Sequence, residues 1–304
     1  MVIFSQYIRI SMKIYLLSVS GSLYSTQRLF NEASRRGHYI RIVDHTKCGI
    51  LFEDNQPKVL FNKEDVSHFS DAIIPRIGAS FTEHGLAIVN QFEKLGNYNV
   101  ASALGILRSR NKLLTMQHMV ENNIPIPKTL YTKNTLLLKE QLDLLEGEQC
   151  IIKFLEGTHG LGVMLAESKK SAVSIIETMH SLNKPILIQE FVKESNGEDI
   201  RAYVVGDKVV ASMKRSSGGK DFRSNVHRGG STSVISMTEE EQRIAVKTAQ
   251  CLGLDVAGID LIRSKNGPMV IEANSSAGLE GIEGATKVNI AGEIIKLIEQ
   301  NVKK

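Results

Sequence analysis

The sequence predicts an α/β lobe followed by an α+β body, and three observations carry that expectation. A strand–helix–strand pattern opens the chain, strands in close pairs dominate from Ile151 onward, and two helical stretches stand apart from those pairs. A chain of 304 residues that is 42% hydrophobic can bury cores of this extent. At roughly 100–200 residues per domain it divides into two or three lobes.

In chain order, residues 1–11 read as a ragged extension, with Met12 a possible alternative start. The opening lacks a basic stretch, a long apolar run and a small-residue cleavage site. Lys13 to Ser18 reads as a strand, Leu23 to Arg36 as an amphipathic helix stopped by Gly37, and Tyr39 to Asp44 as a second strand. The turn "SVSGS" lacks G-x-G-x-x-G, so a dinucleotide site of the usual kind is not supported. A strand "AIIP" around Ile73 and a helix from Leu86 to Leu95 complete a lobe over residues 12–100. Ser102 to Asn123 reads as one helix, broken by "IPIP". The strands "CIIKF", "GVMLAE", "PILIQEFV", "IRAYVVGDKVVASMK", "AGIDLIR" and "PMVIEAN" follow, with helices around Ala172 to Leu182 and Glu239 to Leu252. They divide into a central lobe, 101–188, and a C-terminal lobe, 189–304.

No run of about 18 apolar residues exists to span a membrane as a helix. Cys48, Cys150 and Cys251 lie far apart with no C-x-x-C, which argues against a disulfide framework or zinc site and for a cytoplasmic location. The net charge of +4 is too small to imply a nucleic-acid partner, and no aromatic residues interleave a basic stripe. The segment "KRSSGGKDFRSNVHR", Lys214 to Arg228, nevertheless sets many cations against the single acid Asp221.

"GIDLIRSKNGPMVIEAN" reads as a hairpin. A two-residue Asn266-Gly267 loop would put Asp260 opposite Ala273, on the wrong face. A three-residue loop, Lys265-Asn266-Gly267 with Gly267 left-handed, puts Asp260 opposite Glu272 and Asn274 on the same face two residues on. Three oxygen donors then converge, a set that suits Mg²⁺ completed by phosphate and water. The competing reading is a solvated sheet face on which two acids align.

"IIKFLEGTHGLGV" places Gly157, Gly160 and Gly162 at a hairpin tip after a strand bearing Lys153. Such backbone lets N–H groups approach an anion, and Lys153 adds a point charge. An ordinary flexible hairpin fits equally well. Glu190-Phe191-Val192, ending the apolar strand "PILIQEFV", could serve as a hinge whose backbone pairs with a purine edge. A buried core strand with an edge glutamate is the bland alternative.

In this order these pieces resemble the ATP-grasp superfamily and, within it, the RimK-like ligases, which add glutamate to the C-terminus of small-subunit ribosomal protein six. The resemblance rests on "IIPRIGAS", "KFLEGTHGLGV", "DIRAYVVGDKVVASMKR", "DFRSNVHRGG", "DVAGIDLIR" and "IEANSSAGLEGIE" and runs from about Met12 to the end. It implies an ATP-grasp fold with a Rossmann-like N-terminal lobe, ATP gripped between the second and third lobes. By the same resemblance Lys112 and Lys153 reach ATP phosphates, Glu190 to Val192 form the adenine hinge, and Asp199 contacts the ribose. Arg223, Ser224 and Asn225 form a loop near the nucleotide, and Asp260, Glu272 and Asn274 hold Mg²⁺ or Mn²⁺, as two ions. Ser276-Ala277 departs from the family's usual Ser-Pro, which loosens the backbone there without removing a ligand.

The implied chemistry is amide formation through an acyl phosphate, in which the protein positions groups and neutralises charge. Arg201 and Arg215, flanking the hairpin that turns at Gly206-Asp207, are expected to steady the acyl phosphate, with surface salt bridges as the alternative. Lys220 and Arg228 are expected to receive the acidic C-terminal tail of a ribosomal protein. The expected partners are ATP, L-glutamate and that tail, with no nucleic acid or membrane, in a homo-oligomer. A ligase for another amino-acid or carrier-protein carboxylate is the nearest alternative, and a non-catalytic nucleotide-binding protein a more distant one.

Overall fold

A computed structural model describes residues 11–155, 157, 162–217 and 230–302. The first lobe runs β1 (Lys13–Leu17), α1 (Tyr24–Arg35), β2 (Tyr39–Val43), β3 (Cys48–Glu53), β4 (Gln56–Phe61), β5 (Glu64–Asp65), β6 (Ala72–Pro75), α2 (Thr82–Lys94) and β7 (Tyr98–Asn99). Its parallel sheet has the order β2-β1-β6-β7. Residues alternate along β1, so Tyr15 and Leu17 face the core with Ile88 and Phe92 of α2, while Ile14 and Leu16 face Leu29 and Ala33 of α1. Met12 is already buried, and its backbone carbonyl accepts from Tyr39 N at 2.9 Å.

The antiparallel β3-β4-β5 meander is an addition that the sequence reading did not anticipate. Its turns carry a signal that could have revealed it. Asp54-Asn55 and Asn62-Lys63 all have positive φ, as two-residue hairpin turns of this hand require.

Where one helix was expected over Ser102 to Asn123 there are two, α3 (Ala103–Arg110) and α4 (Lys112–Glu121). Asn111 divides them because its side chain accepts from Leu113 N and Leu114 N and so starts a new helix. The central lobe follows with β8 (Thr129–Leu130), α5 (Leu138–Leu142), β9 (Cys150–Phe154), β10 (Val163–Ala166), α6 (Lys169–Ser181) and β11 (Ile186–Glu190). Its antiparallel sheet has the order β10-β9-β11-β8, with a core of its own from Leu138 to Ile188.

The last lobe contains β12 (Glu198–Val205), β13 (Lys208–Ser216), β14 (Ser231–Val234), α7 (Glu239–Leu252), β15 (Val256–Ser264), β16 (Gly267–Asn274), α8 (Glu280–Thr286) and α9 (Ile290–Asn301). Its sheet has the order β14-β13-β12-β15-β16. Pro268 is tolerated because β16 is an edge strand. Both large cores cross from the first lobe into this sheet. Ala202, Val204 and Ile259 join the α2 side, whereas Tyr203, Val205 and Val256 join the side of α1 and α9. Helix α9 thus packs against α1, an Arg36–Glu299 ion pair joins the two, and Arg28–Glu283 at 2.7 Å ties α1 to α8. None of the helices among the described residues is long and apolar enough to cross a membrane.

Candidate active site

The β15–β16 hairpin pairs Asp260 with Glu272 and Gly258 with Asn274, so the three oxygen-bearing side chains do share one face. The route differs from the one expected. Ser264 pairs with Gly267, so the loop is only Lys265-Asn266, and the register shifts between Asp260 and Leu261. The extra residue, Ile271, forms a bulge that restores the Asp260–Glu272 pairing which this tight turn would otherwise break. Gly267 does have positive φ, +107°.

Asp260 is 1% exposed and lies under two guanidiniums. Arg201 donates Nε and Nη2 to its two oxygens at 2.7 and 2.6 Å. The two residues face each other directly across β12 and β15. Arg215 reaches Asp260 Oδ2 with Nη2 at 2.9 Å, and donates Nε and Nη2 to Asp199 at 2.6 and 2.7 Å. Burial alone would push the Asp260 carboxyl up, but the Arg201 and Arg215 charges outweigh it and hold it below the usual carboxylate range. Asn274 Nδ2 lies 3.5 Å from Asp260 Oδ2. Arg201 and Arg215 are therefore not surface salt bridges. Asp199, expected at the ribose, is 6% exposed with both oxygens engaged by Arg215.

Lys153 sits mid-strand in β9, opposite Val163 and Leu187, and its Nζ donates to Gln189 Oε1 at 2.7 Å. Burial pushes its ammonium down to about 8; Glu272 opposes that shift and Lys112 adds to it. These couplings put Lys153, Lys112 and Glu272 in one electrostatic neighbourhood. Lys112 is the first residue of α4, and its Nζ donates to Gly157 O at 3.3 Å. β9 and β10 form the expected hairpin, and Gly162 O accepts from Phe154 N at 3.0 Å. Gly162 has φ +75°, and a Cβ there would fall 2.1 Å from the Phe154 ring, so only glycine fits. Gly160, Lys220, Arg223, Ser224, Asn225 and Arg228 lie outside the described residues.

Glu190, Phe191 and Val192 line a cavity of about 230 Å³ with Lys265, Asn266 and Met269. Glu190 N donates to Lys128 O at 2.9 Å, so this N–H serves the lobe's own backbone rather than a ligand. An ion pair between Lys265 and Glu146 at 3.2 Å ties the two lobes together beside the cavity.

A second, smaller cavity is bordered by Arg110, Lys112, Gly157, Glu272, Asn274 and the serines after it. Arg110 and Ser275 were not singled out in the sequence, and Ser276 only for the Ala277 that follows it, although "RSRNK" sets Arg110 two residues before Lys112. Burial lowers the Arg110 pKa, with Glu272 opposing and Arg76 reinforcing the shift. The Arg201–Asp260–Arg215–Asp199 chain is neutral within itself. Glu272 is coupled to Arg110 and Lys153, which in turn feel Arg76 and Lys112, so cations outnumber the acid in this group, as binding of a polyanion favours.

Residues 109–298 match the RimK-like ATP-grasp domain, and residues 12–106 match the RimK PreATP-grasp domain. The chain is 47% identical over 292 residues to a probable alpha-L-glutamate ligase 1 of Shewanella frigidimarina, covering 96% of this chain and 97% of that one. It is 46% identical over 290 residues to a probable alpha-L-glutamate ligase of Vibrio cholerae, covering 95% and 96%. Among solved structures, the ATP-grasp ligase PsnB, complexed with minimal precursor, Mg and ADP, superposes with a TM-score of 0.75 at 18% identity, over 96% of this chain and 98% of that one. A RimK domain ATP-grasp protein from Sphaerobacter thermophilus superposes with a TM-score of 0.72 at 18% identity, over 94% and 98%. Full-length identity of this order, both domain matches and the three-lobed architecture agree: the chain belongs to the RimK-like ATP-grasp ligase family.

Proposed function

We propose that this ligase joins L-glutamate to the C-terminal carboxylate of an acidic protein acceptor at the expense of ATP. Small-subunit ribosomal protein six is the acceptor the family resemblance favours, with poly-glutamate as the extended product. One observation carries the reading. Lys112 and Gly157 border one cavity together with Glu272 and Asn274, whose face also carries Asp260, and Lys153 is coupled electrostatically to both Lys112 and Glu272. Glutamate as the amine substrate is supported by the names of relatives at 46–47% identity.

The donors fit a hard divalent cation. Asp260 and Glu272 face each other with the Asn274 amide beside them, and no cluster of three or more acidic, His or Cys ligands exists among the described residues. Two carboxylates and an amide leave coordination sites for phosphate oxygens and water. Asp260, Glu272 and Asn274 would hold Mg²⁺ or Mn²⁺, which supplies charge neutralisation on the transferring phosphoryl group.

In the reaction the acceptor carboxylate attacks the γ-phosphorus, the bond to the β–γ bridging oxygen breaks, and ADP leaves. The glutamate amine then adds to the acyl carbon, phosphate departs, and the amine gives up its proton as the amide forms. Lys112 and Lys153 counter phosphate charge. Arg201 and Arg215 counter charge on the acyl phosphate, a role supported by their convergence on Asp260. Phe191 and Val192 receive the purine, and Lys220 and Arg228 receive the acidic tail. Incubation with ATP, Mg²⁺, glutamate and candidate acceptors, followed by mass spectrometry, should give a ladder of glutamate additions. ATP turnover without any mass gain on every acidic acceptor would refute the reading.

A further inference from the structure

The small cavity beside Glu272 measures about 40 Å³, room for roughly three groups of water size at about 10–15 Å³ each. Three buried side-chain atoms among the residues that border it have no hydrogen-bond partner: Arg110 Nε, Ser275 Oγ and Ser276 Oγ. Buried polar atoms are normally satisfied, and three orphans around one cavity is a costly coincidence in an empty protein. All three can donate. Arg110 is also held in place, because its Nη2 donates to Ile77 O and α3 ends at this residue. A carboxylate is acceptor-only and has three heavy atoms, which matches both the donor set and the volume. Ser275 and Ser276 directly follow Asn274, so a group held here lies within one or two residues of the proposed cation-binding face.

We propose that Arg110, Ser275 and Ser276 form a carboxylate-binding subsite that orients an amino-acid substrate next to the reacting phosphoryl group. The inference rests on the ligase reading above and adds to it the residues that recognise a substrate carboxylate. The carboxylate belongs either to free glutamate or to the acceptor's C-terminus, and the two sources separate experimentally.

The test uses the full chain with Ser275→Ala and Ser276→Ala combined, and separately Arg110→Gln and Arg110→Lys. Removing an unpartnered buried hydroxyl should leave the unfolding temperature unchanged or raise it. The KM for one carboxylate substrate should rise about ten- to a hundred-fold, the loss of a hydrogen bond to a charged group, with the KM for ATP at its parent value. A shift confined to glutamate assigns the incoming amino acid, and one confined to the acceptor peptide assigns the carboxylate to be activated. Arg110→Lys should recover part of what Arg110→Gln loses. A rise confined to ATP would make these residues phosphate ligands and overturn the proposal, as would parent KM values throughout. Calorimetric titration of L-glutamate and of an acidic peptide into protein loaded with a non-hydrolysable ATP analogue reads the subsite without turnover. If the parent binds one of them and the serine variant does not, the subsite stands even where ligase activity fails. Equal binding, or no binding by the parent, removes it.

Discussion

Lys153→Met should make the empty protein more tolerant of neutral pH while abolishing tight ATP binding. In the fold Lys153 is pushed down to about 8 from 10.5, a depression worth about 3 kcal/mol of destabilisation wherever both folded and unfolded chains carry the proton. Methionine removes that penalty but strands Gln189 Oε1, now bonded at 2.7 Å, at a cost of about 1–3 kcal/mol. The net change at pH 7 is therefore between about zero and 2 kcal/mol in favour of the variant. The pH dependence is sharper. Between about 8 and 10.5 the unfolded chain binds more protons than the folded one, so the parent gains stability as pH rises. The variant lacks this gain, and above pH 10.5 the parent should be the more stable. Urea unfolding followed by circular dichroism at pH 7 and at pH 10–10.5 measures the difference. ATP phosphates beside Lys153 should also raise its pKa, so binding at pH 8.5 should take up protons, visible by calorimetry in buffers of different ionisation heat. Parallel stability profiles for parent and variant, together with binding that takes up no protons, would refute the assignment of a depressed, phosphate-facing lysine.

Glu272→Gln keeps shape and removes one charge from the proposed cation-binding face, so turnover at saturating ATP should fall about 100-fold or more; unchanged turnover would exclude Glu272 as a ligand. Arg215→Ala leaves Asp199 without its Arg215 bonds and Asp260 with one guanidinium in place of two, and should cost about 3–5 kcal/mol in denaturant midpoint measurements. Gly162→Ala drives a Cβ into the Phe154 ring at a left-handed position, so ATP affinity should drop with a loss of about 1–3 kcal/mol in stability, read by calorimetry and thermal unfolding.

Local periodicity made most elements legible. The helix from Glu239 to Leu252 was bounded by a Thr238 capping box and Gly253, and β1, α1 and β2 by equally local signals. The Asp260–Glu272 pairing was legible too, but only because an error in loop length was cancelled by the bulge at Ile271, which no residue type announces. The Arg201–Asp260 contact was readable in principle from strand pairing and was missed because β12 and β15 are distant in sequence. Arg110 escaped because its meaning depends on three unpartnered atoms meeting across separate segments. Long-range packing of this kind leaves no periodic trace in either segment.

The docking of α9 on α1 also bears on how the chain is made. Helix α1 covers the face of the first sheet that carries Ile14, Leu16 and Ile74, and Ile290, Ile294 and Ile298 of α9 extend the same core from the far side of α1. During synthesis the first lobe finishes at Asn99, whereas the helix that packs on α1 begins at Ile290. At about 5–20 residues per second that interval lasts on the order of 10–40 s, during which α1 is without its α9 partner. Slowing translation between the two segments should therefore lengthen the exposure of the α9-facing side of α1 and lower soluble yield, without changing a single residue of the finished protein.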